Sequence, residues 1–415
     1  MSKNIIAPPV RFQGFTAPWR QRKFADLATV RRGLTYKPHN VIEGGKRVLR
    51  SSNINENTFQ VHNDDVFVDE NVVNIPCVNN GDILITSANG SSRLIGKHAI
   101  IRGIPENSAV HGGFMLLASS DESEFVNALM SSLWYTKFIN AYVAGGNGAI
   151  GNLNKNDLEE QIAYVPQKEE MHKIGDFFGN LDHLITLHQH KLELQKKLKA
   201  FFLKNMFPEE GETVPRIRFK EFAGDWEQRK LGEIGTTFSG LSGKAKEDFG
   251  HGEAQFVTYM NVYLNAVSDS SMTERVEIDD HQNKVQYGDV FFTTSSETPD
   301  EVGMSSVWFG SKDNTYLNSF CFGFRPTKEI DPYYMAFMLR SDIIRRKIII
   351  LAQGISRYNL SKKQVMKIAV PLPELSEQYK IGAYLQSLDH LITLHQRKLD
   401  QLQVMKKFML QNLFV

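Results

Sequence analysis

The chain has 415 residues, of which 41% are apolar and 23% charged, and its formal net charge at pH 7 is +1. This length exceeds one ordinary domain and predicts two or three domains of globular composition. The chain has no run of 18 apolar residues, no apolar signal core at its N-terminus and two isolated cysteines. We therefore expect a cytoplasmic protein without a membrane span, a disulfide framework or a cysteine zinc site.

The first 60 residues are basic, since they contain eleven lysine or arginine residues and three aspartate or glutamate residues. A local positive charge of this size indicates a polyanionic partner. The equivalent stretch later in the chain is not basic, and a solvated surface in a charge-balanced protein would explain the same composition. Charge alone therefore leaves both interpretations open.

The nine residues LDHLITLHQ occur at 181–189 and again at 388–396, which is an offset of 207. The same offset relates WRQRK near the N-terminus to a later WEQRK, and Phe207 to Phe414. A repeat of this length indicates a tandem domain duplication rather than a solenoid.

The duplication predicts two copies of one unit, at 8–207 and 215–414, separated by the exposed linker PEEGETV. The first 150 to 160 residues of each copy contain short apolar runs separated by turn residues, such as GDILITSANG and GDVFFTTSS, which predict strands. The segments FVNALMSSLWYTKFINAY and PYYMAFMLRSDIIRRKIII predict a helix in each copy. Strands and helices in one unit indicate an α+β fold.

The last part of each copy, after Pro166 and Pro373, loses glycine and proline and predicts a long helix that runs to about Met206 and Leu413. Its apolar residues recur with heptad spacing, which indicates a coiled-coil seam with polar interruptions. The predicted seam consists of Phe178, Leu181, Ile185, His188 and Leu192 in the first helix and Leu385, Leu388, Ile392, His395 and Leu399 in the second.

Two equivalent amphipathic helices can bury each other's apolar stripe, which a single helix cannot do alone. Antiparallel pairing would relate the copies by a pseudo-twofold axis and place the globular parts at opposite ends of a rod about 57 Å long. The alternative is that each helix packs on its own globular part. We interpret His188 and His395 as polar seam residues that fix the register, and we predict no metal site.

The chain contains none of the common catalytic signatures. GSSRLIGKH has five residues between its glycines, where a phosphate-binding loop has four, and His98 follows the lysine. No GxGxxG opens a predicted helix, no GxSxG or HExxH occurs, and DPYY lacks the second proline of a DNA amino-methyltransferase motif. The absence of recognisable chemistry predicts a binding or organising protein, not an enzyme.

Three polar loop clusters recur at matching places in the two copies. Their side chains can pair with base edges and phosphates, although Ser-Asn-Gly is also ordinary turn chemistry. The loops differ between the copies whereas the helices are nearly identical, so one scaffold would carry two different reading surfaces. The predicted DNA-binding residues are Arg47, Arg50, Ser51, Asn53, Asn89, Ser91, Arg93 and Asn147 in the first copy and Tyr259, Asn261, Ser295, Ser296, Glu297, Ser356 and Arg357 in the second.

The alternation of globular part and helix resembles the specificity subunit of Type I restriction-modification enzymes, as do the segments GDILITSANGSSRLIGKHAII and NLSKKQVMKIAVPLPELSEQYKIGAYLQSLDHLITLHQRKL. The resemblance covers nearly the whole chain. It implies two target recognition domains, each reading one half of a bipartite site in double-stranded DNA, and helices that set the gap between the halves. It also implies a subunit without catalytic residues that docks two methyltransferase subunits, which two restriction subunits then join.

The resemblance implies that the chain binds no cofactor itself. S-adenosylmethionine would belong to the methyltransferase partner, and ATP and Mg²⁺ to the restriction partner. A coiled-coil interaction scaffold without DNA specificity and a cryptic nuclease or methyltransferase are the alternatives; the basic N-terminal segment disfavours the first and the missing motifs disfavour the second. The predicted organisation is target recognition domain 1 at 1–165, spacer helix 1 at 166–207, a linker at 208–214, target recognition domain 2 at 215–372 and spacer helix 2 at 373–415.

Overall fold

A computed structural model describes residues 7–143, 152–354 and 357–415 of the chain. The chain divides into two compact units, which we call the first unit (Met1–Gln189 with Arg397–Val415) and the second unit (His190–Gln396). Each unit therefore contains one globular part and one segment of each long helix. None of the helices described is long and apolar enough to cross a membrane.

Over the described residues, the globular part of the first unit combines short strands with three α-helices. The helices are α1 (Ser123–Met130), α2 (Leu133–Val143) and α3 (Lys155–Glu159). The strands are β1 (Arg20–Lys23), β2 (Thr29–Arg32), β3 (Val41–Leu49), β4 (Ile54–Asn55), β5 (Thr58–Phe59), β6 (Val66–Val68), β7 (Ile83–Thr86), β8 (His98–Ile100), β9 (Ala109–His111), β10 (Met115–Ser119) and β11 (Ile162–Val165). The long helix α4 (Lys168–Asn205) follows and continues into the second unit.

The second unit repeats the main strands of the first unit in the same order. Its strands are β12 (Glu227–Lys230), β13 (Gly235–Ser239), β14 (Phe249–Val257), β15 (Thr273–Val276), β16 (Val290–Thr293), β17 (Ser295–Ser296), β18 (Ser305–Val307), β19 (Thr315–Leu317), β20 (Cys321–Pro326), β21 (Tyr358–Asn359) and β22 (Ala369–Leu372). Its helices are α5 (Leu231–Ile234), α6 (Tyr259–Leu264), α7 (Pro332–Met338), α8 (Asp342–Ile350) and α9 (Lys362–Val365). The second long helix, α10 (Leu375–Asn412), begins here and ends in the first unit.

Three sheets are common to the two units. A four-stranded antiparallel sheet has the order β2-β10-β7-β8 in the first unit and β13-β20-β16-β18 in the second. A three-stranded sheet has the order β6-β3-β9 or β15-β14-β19, and in each unit its last pair is parallel. A two-stranded ribbon joins β1 to β11 or β12 to β22. The predicted tandem repeat of mixed α+β units is confirmed by this shared topology.

The inner strand β7 is buried on both of its faces. Ile83 and Ile85 belong to the core that includes Phe125 of α1, whereas Leu84 belongs to a separate core with Leu49 of β3. Successive side chains of a strand point to opposite faces, so a strand covered on both faces must be a continuous apolar run. This requirement explains why the runs ILI at 83–85 and VFF at 290–292 contain no polar residue.

Each apolar segment that was predicted to form a helix forms two short helices instead, α1 with α2 and α7 with α8. The Oγ of Ser132 donates a hydrogen bond to the carbonyl of Leu129 at 2.7 Å, and the Oγ of Ser341 donates to the carbonyl of Met338 at 2.6 Å. A hydroxyl that binds a nearby carbonyl competes with the continuing helix. Both segments are thus helical, and each is divided into two helices at a serine.

The end of each long helix carries an aromatic side chain into a globular core. In the first unit, Phe414, which follows α10, stacks on Phe178 of α4 and meets Trp19 edge to face at 6.4 Å. In the second unit, Phe207, which follows α4, meets Trp226 edge to face at 6.5 Å. Each core is thus closed by the end of the long helix that begins in the other unit.

Segments of the two long helices lie side by side within each unit. Asp182 of α4 pairs with Lys406 of α10 at 2.5 Å in the first unit, and Lys199 of α4 pairs with Asp389 of α10 at 2.5 Å in the second. Because the end of α10 also lies beside the beginning of α4 in the first unit, the two segments there run in opposite directions. Among the predicted seam residues, Phe178, Leu181, Leu192, Leu385, Leu388 and Leu399 are buried, and Ile185, His188, Ile392 and His395 are half-buried.

The beginning of each long helix also packs closely on the globular part that precedes it. A Cβ atom on Gly175 would lie 2.9 Å from the main-chain nitrogen of Phe125, and one on Gly382 would lie 2.3 Å from Oδ1 of Asp331. Only glycine permits an approach this close. Each long helix therefore packs, at its start, on the globular part that precedes it.

Replacing Phe414 with alanine should lower the free energy of unfolding of the first unit by about 3–5 kcal/mol, because a buried aromatic ring is removed. Phe207→Ala is the matched variant and should destabilise the second unit. Hydrogen exchange measured by mass spectrometry would assign the lost protection to one unit or the other. Equal loss of protection in both units with either variant would contradict the separate closure of the two cores.

Candidate nucleic-acid interfaces

A groove of about 830 Å³ opens in the first unit where three loops meet; we call it the first groove. The loops follow β3, follow β7 and precede β10. Three of the predicted residues, Arg50, Ser51 and Asn89, line it together. Tyr36, Phe114 and Asn152 also line it, and sequence reasoning did not select them.

Arg50 is the central cation of the first groove. It follows β3 directly, and its main-chain nitrogen donates a hydrogen bond to Oδ1 of Asn53 at 2.8 Å, which holds the turn at 51–53. Within the part of the chain that the structure describes, its buried Nε has no hydrogen-bond partner. Because Arg50 lines the groove with a half-buried guanidinium, it is suited to an acceptor brought by a ligand, such as a guanine edge.

Arg47 and Asn53 bind other residues of the first unit beneath this groove. The amide nitrogen of Asn53 donates to the carbonyl of Gln60 at 2.9 Å and to Oδ1 of Asp65 at 2.8 Å, which uses both amide hydrogens. Arg47 forms an ion pair with Asp65. Burial alone would raise the pKa of Asp65, but hydrogen bonds from the His62 amide, Asn53 and Arg47 hold that pKa below its ordinary value. These residues shape the loop that presents Arg50.

Asn261 has the same role in the second unit, at a local offset of 208 from Asn53. It is fully buried, and its amide nitrogen donates to the carbonyls of Asp269 at 2.7 Å and Met272 at 3.0 Å. Its Oδ1 accepts from the main-chain nitrogen of Asp269 at 2.9 Å. Neither Asn53 nor Asn261 keeps an amide hydrogen for a base, although both were predicted to bind DNA.

The loop after β7 supplies the other polar groups of the first unit. Asn89 donates to Oγ of Ser51 at 3.0 Å and accepts from the main-chain nitrogen of Ser91 at 3.0 Å. Ser91 and Arg93 are exposed on the following turn. The structure therefore joins the two predicted clusters around Ser51 and Asn89 by a direct hydrogen bond.

The matching region of the second unit has a different chemistry. Tyr259 donates from its hydroxyl to the carbonyl of Ser295 at 2.8 Å. Glu301 accepts from the hydroxyl of Tyr263 at 2.7 Å and from Oγ of Ser296 at 3.0 Å, and these bonds, led by Tyr263, lower its pKa. This region therefore has a carboxylate and two stacked tyrosine rings where the first unit has Arg50 and Asn89.

The remaining predicted residues of the second unit include two exposed charges. Glu297 and Arg357 are both exposed to solvent. The predicted residues Asn147 and Ser356 lie outside the described residues. Among those that are described, no group of three or more His, Cys, Asp or Glu side chains could hold a metal ion.

Two half-buried arginines position the loops of the second unit, and sequence reasoning missed them inside a predicted helix. Arg340 donates to the carbonyls of Val262 at 2.8 Å, Ser305 at 2.7 Å and Asn265 at 2.9 Å, which fixes the end of α6. Burial lowers the pKa of Arg340 to about 10, so it stays charged at neutral pH. Arg345 holds the 300–303 loop through three further carbonyls, each at 2.8 Å.

Two of the described histidines are buried, and both lie in the first unit. His98 packs edge to face on Tyr135 at 5.3 Å, and His111 lies 3.3 Å from the carbonyl of Arg31, just before the loop that carries Phe114. Burial lowers the pKa of each imidazole to about 4. Both rings are therefore neutral at physiological pH.

The long helices expose apolar side chains in both units. Leu187 and its equivalent Leu394 are exposed, as are Phe201 and its equivalent Phe408. The four side chains therefore form two matched pairs of exposed apolar residues, one pair from each equivalent position.

A sequence model of the Type I restriction modification DNA specificity domain matches the chain twice, over residues 17–196 and 223–404. The putative type I restriction enzyme MjaX specificity subunit of Methanocaldococcus jannaschii is 25% identical over 418 residues, which cover 94% of this chain and 91% of that protein. The type I restriction enzyme MjaVIII specificity subunit of the same organism is 23% identical over 270 residues, 62% of each chain.

The fold also resembles a solved structure. The crystal structure of a Type-I restriction-modification system S subunit from M. genitalium matches with a TM-score of 0.62 at 16% sequence identity, and the match covers 99% of both chains. At this identity, the likeness supports the fold and its tandem arrangement.

Stability of the first unit should fall as the pH decreases from about 6.5 to about 4. In this range the unfolded chain binds protons at His98 and His111 whereas the folded chain does not, which costs about 1.4 kcal/mol per pH unit for each histidine. The second unit has Ser305 and Leu317 at the equivalent positions. Urea unfolding followed by hydrogen exchange at pH 7, 5.5 and 4.5 should show the first unit losing protection earlier.

The double variant His98→Ser, His111→Leu takes the residues of the second unit and serves as the control. It should flatten the acid dependence of the first unit even if it lowers stability at pH 7. An unchanged acid slope would show that other groups cause the loss.

Proposed function

Because the chain belongs to the Type I restriction modification DNA specificity family, we propose that it is the non-catalytic subunit that reads target DNA for a Type I complex. The observation that carries this proposal is the contrast, within two units of one topology, between shared sheets and dissimilar loops. Each unit would read one half of a bipartite site, and the two halves would differ in sequence.

The chemistry of the two loop surfaces supports recognition of different bases in the two half-sites. The first groove offers the Arg50 guanidinium, which suits guanine O6 and N7, and the nearby Asn89 amide, which suits adenine. The second unit offers the carboxylates Glu297 and Glu301, which accept from the amino group of cytosine. Arg93 and Arg357, which are exposed, add either base or phosphate contacts.

The long helices are proposed to form an antiparallel coiled coil that sets the gap between the half-sites. The buried seam leucines and the Asp182–Lys406 and Asp389–Lys199 pairs support this role. A helix is a stiff element with a fixed rise of about 1.5 Å per residue, so its length can determine a fixed spacing.

The exposed apolar residues of the helices are proposed to dock two copies of one partner. Leu187 with Leu394, and Phe201 with Phe408, are the same residue types at equivalent positions, which suits two identical proteins rather than two different ones. We assign these partners as methyltransferase subunits that carry S-adenosylmethionine. Two restriction subunits that use ATP and Mg²⁺ would join them, and this chain would bind none of these cofactors.

Methylome sequencing tests the reading function directly. A host that expresses this chain with its methyltransferase partner should acquire a split motif of two short blocks around a fixed gap, which a host without this chain lacks. Exchanging residues 1–160 for those of a relative should change one block only, because the second unit is intact. A formed complex without any new motif would favour an interaction scaffold instead.

Deleting one heptad from both long helices tests the spacing role. Residues 189–195 and their equivalents 396–402 form one heptad in each helix and contain neither the proposed docking residues nor the residues of the Asp182–Lys406 and Asp389–Lys199 pairs. Removing both copies keeps the seam in phase and shortens each helix by about 10 Å. The gap in the methylated motif should shorten while the letters of both blocks stay the same. Deleting one copy alone is the control and should disrupt pairing. An unchanged gap after the double deletion would contradict the spacing role.

A further inference from the structure

Outside the long helices, two phenylalanines among the described residues are mostly exposed, and they occupy equivalent positions. Phe114 is 74% exposed directly before β10, and Phe320 is 58% exposed directly before β20. An isolated exposed apolar side chain is unremarkable in itself. Its recurrence at the same place in both units, between loops that otherwise differ, calls for a shared cause.

Both phenylalanines are held by their main chain and not by their rings. The carbonyl of Phe114 accepts from the main-chain nitrogens of Ser87 and Ala88 at 2.9 and 3.1 Å. The carbonyl of Phe320 accepts from the nitrogen and Oγ1 of Thr294 at 3.0 and 2.8 Å. The rings are therefore displayed from fixed backbone, and they are tied to the loops that carry the predicted reading residues.

The ring of Phe114 lines the first groove beside Arg50 and Asn89. A phenyl ring makes no hydrogen bond to a base edge, so it is not suited to distinguish most letters in the way its polar neighbours can. It is suited to contact the faces of bases, because every base has an apolar face and stacking tolerates any sequence. Stacking that tolerates any base is the property expected of a residue that both units share although they would read different bases.

Resting on the proposed reading function, we propose that Phe114 and Phe320 are apolar wedges. Each inserts its ring at a base step of the half-site read by its own unit and partly unstacks that step. Apolar side chains used in this way contribute affinity and bend or open the duplex locally. The polar loop residues would then select the letters, and the phenylalanine would strengthen binding to any sequence that fits.

The test uses the full chain with its methyltransferase partner and duplexes that carry the split motif found by methylome sequencing. One set of duplexes carries 2-aminopurine at successive positions of one half-site, since its fluorescence rises when it is unstacked. Phe114→Ala, Phe114→Leu, Phe320→Ala and Arg50→Ala are compared with the natural chain. Binding is also measured on duplexes with one altered letter in each block.

Phe114→Ala should weaken binding by about 10-fold, equally on correct and altered letters, because a stacking contact is lost. It should also abolish the 2-aminopurine signal in the first half-site only, whereas Phe320→Ala should do so in the second only. Phe114→Leu should retain part of both effects. Arg50→Ala should instead reduce the preference for one letter and leave the fluorescence signal in place.

Other outcomes separate this proposal from the reading function. If Arg50→Ala changes letter preference but both phenylalanine variants bind and fluoresce like the natural chain, the wedge is refuted and the reading function stands. If Phe114→Ala leaves DNA binding intact and prevents assembly with the methyltransferase, the ring is a protein contact and the wedge is also refuted. If the natural chain shows no split motif, the reading function fails and the wedge fails with it.

Discussion

Neither unit completes its hydrophobic core from the globular sequence that defines it. The first core is closed by Leu413 and Phe414, and the second by Met206 and Phe207. Buried aromatic side chains contribute about 3–5 kcal/mol each, so a globular part without this helix end would have a defective core. This dependence constrains the length of the long helices, and both contain 38 residues.

The duplicated scaffold preserves physical requirements more strictly than it preserves residues. Asp82 and Asp289 are equivalent buried carboxylates that follow a glycine and close the turn before β7 and β16. A buried carboxylate needs a cation, yet Asp82 takes Arg31 from β2 and Asp289 takes Arg325 from β20. The two units thus neutralise the equivalent carboxylate with an arginine from non-equivalent strands. The need for a nearby cation is common to both units, but the residue that meets it is not.

The sequence predicted the repeat, the mixed fold and the long helices, because periodicity and a constant offset are properties of the chain itself. It could not separate loop residues that face outward from those that face inward. Asn53 and Asn261 have the composition of a reading loop, but each is buried and bonded to the main chain. Phe114 was missed for the opposite reason, since an apolar residue next to a strand is usually part of the core.

Polar residues beneath the loops give physical support to the proposed reading surfaces. Choosing one base over another is worth only about 1–3 kcal/mol, and a side chain that must first be ordered would lose a comparable amount. In the first unit, Asn53 and Asp65 hold the turn that presents Arg50, and in the second unit, Arg340 and Arg345 bind the loops through their carbonyls. Because these supports contact mainly main-chain atoms, exposed residues can change without disturbing them. A scaffold of this kind can acquire new letters while its sheets, helices and ordering interactions stay the same.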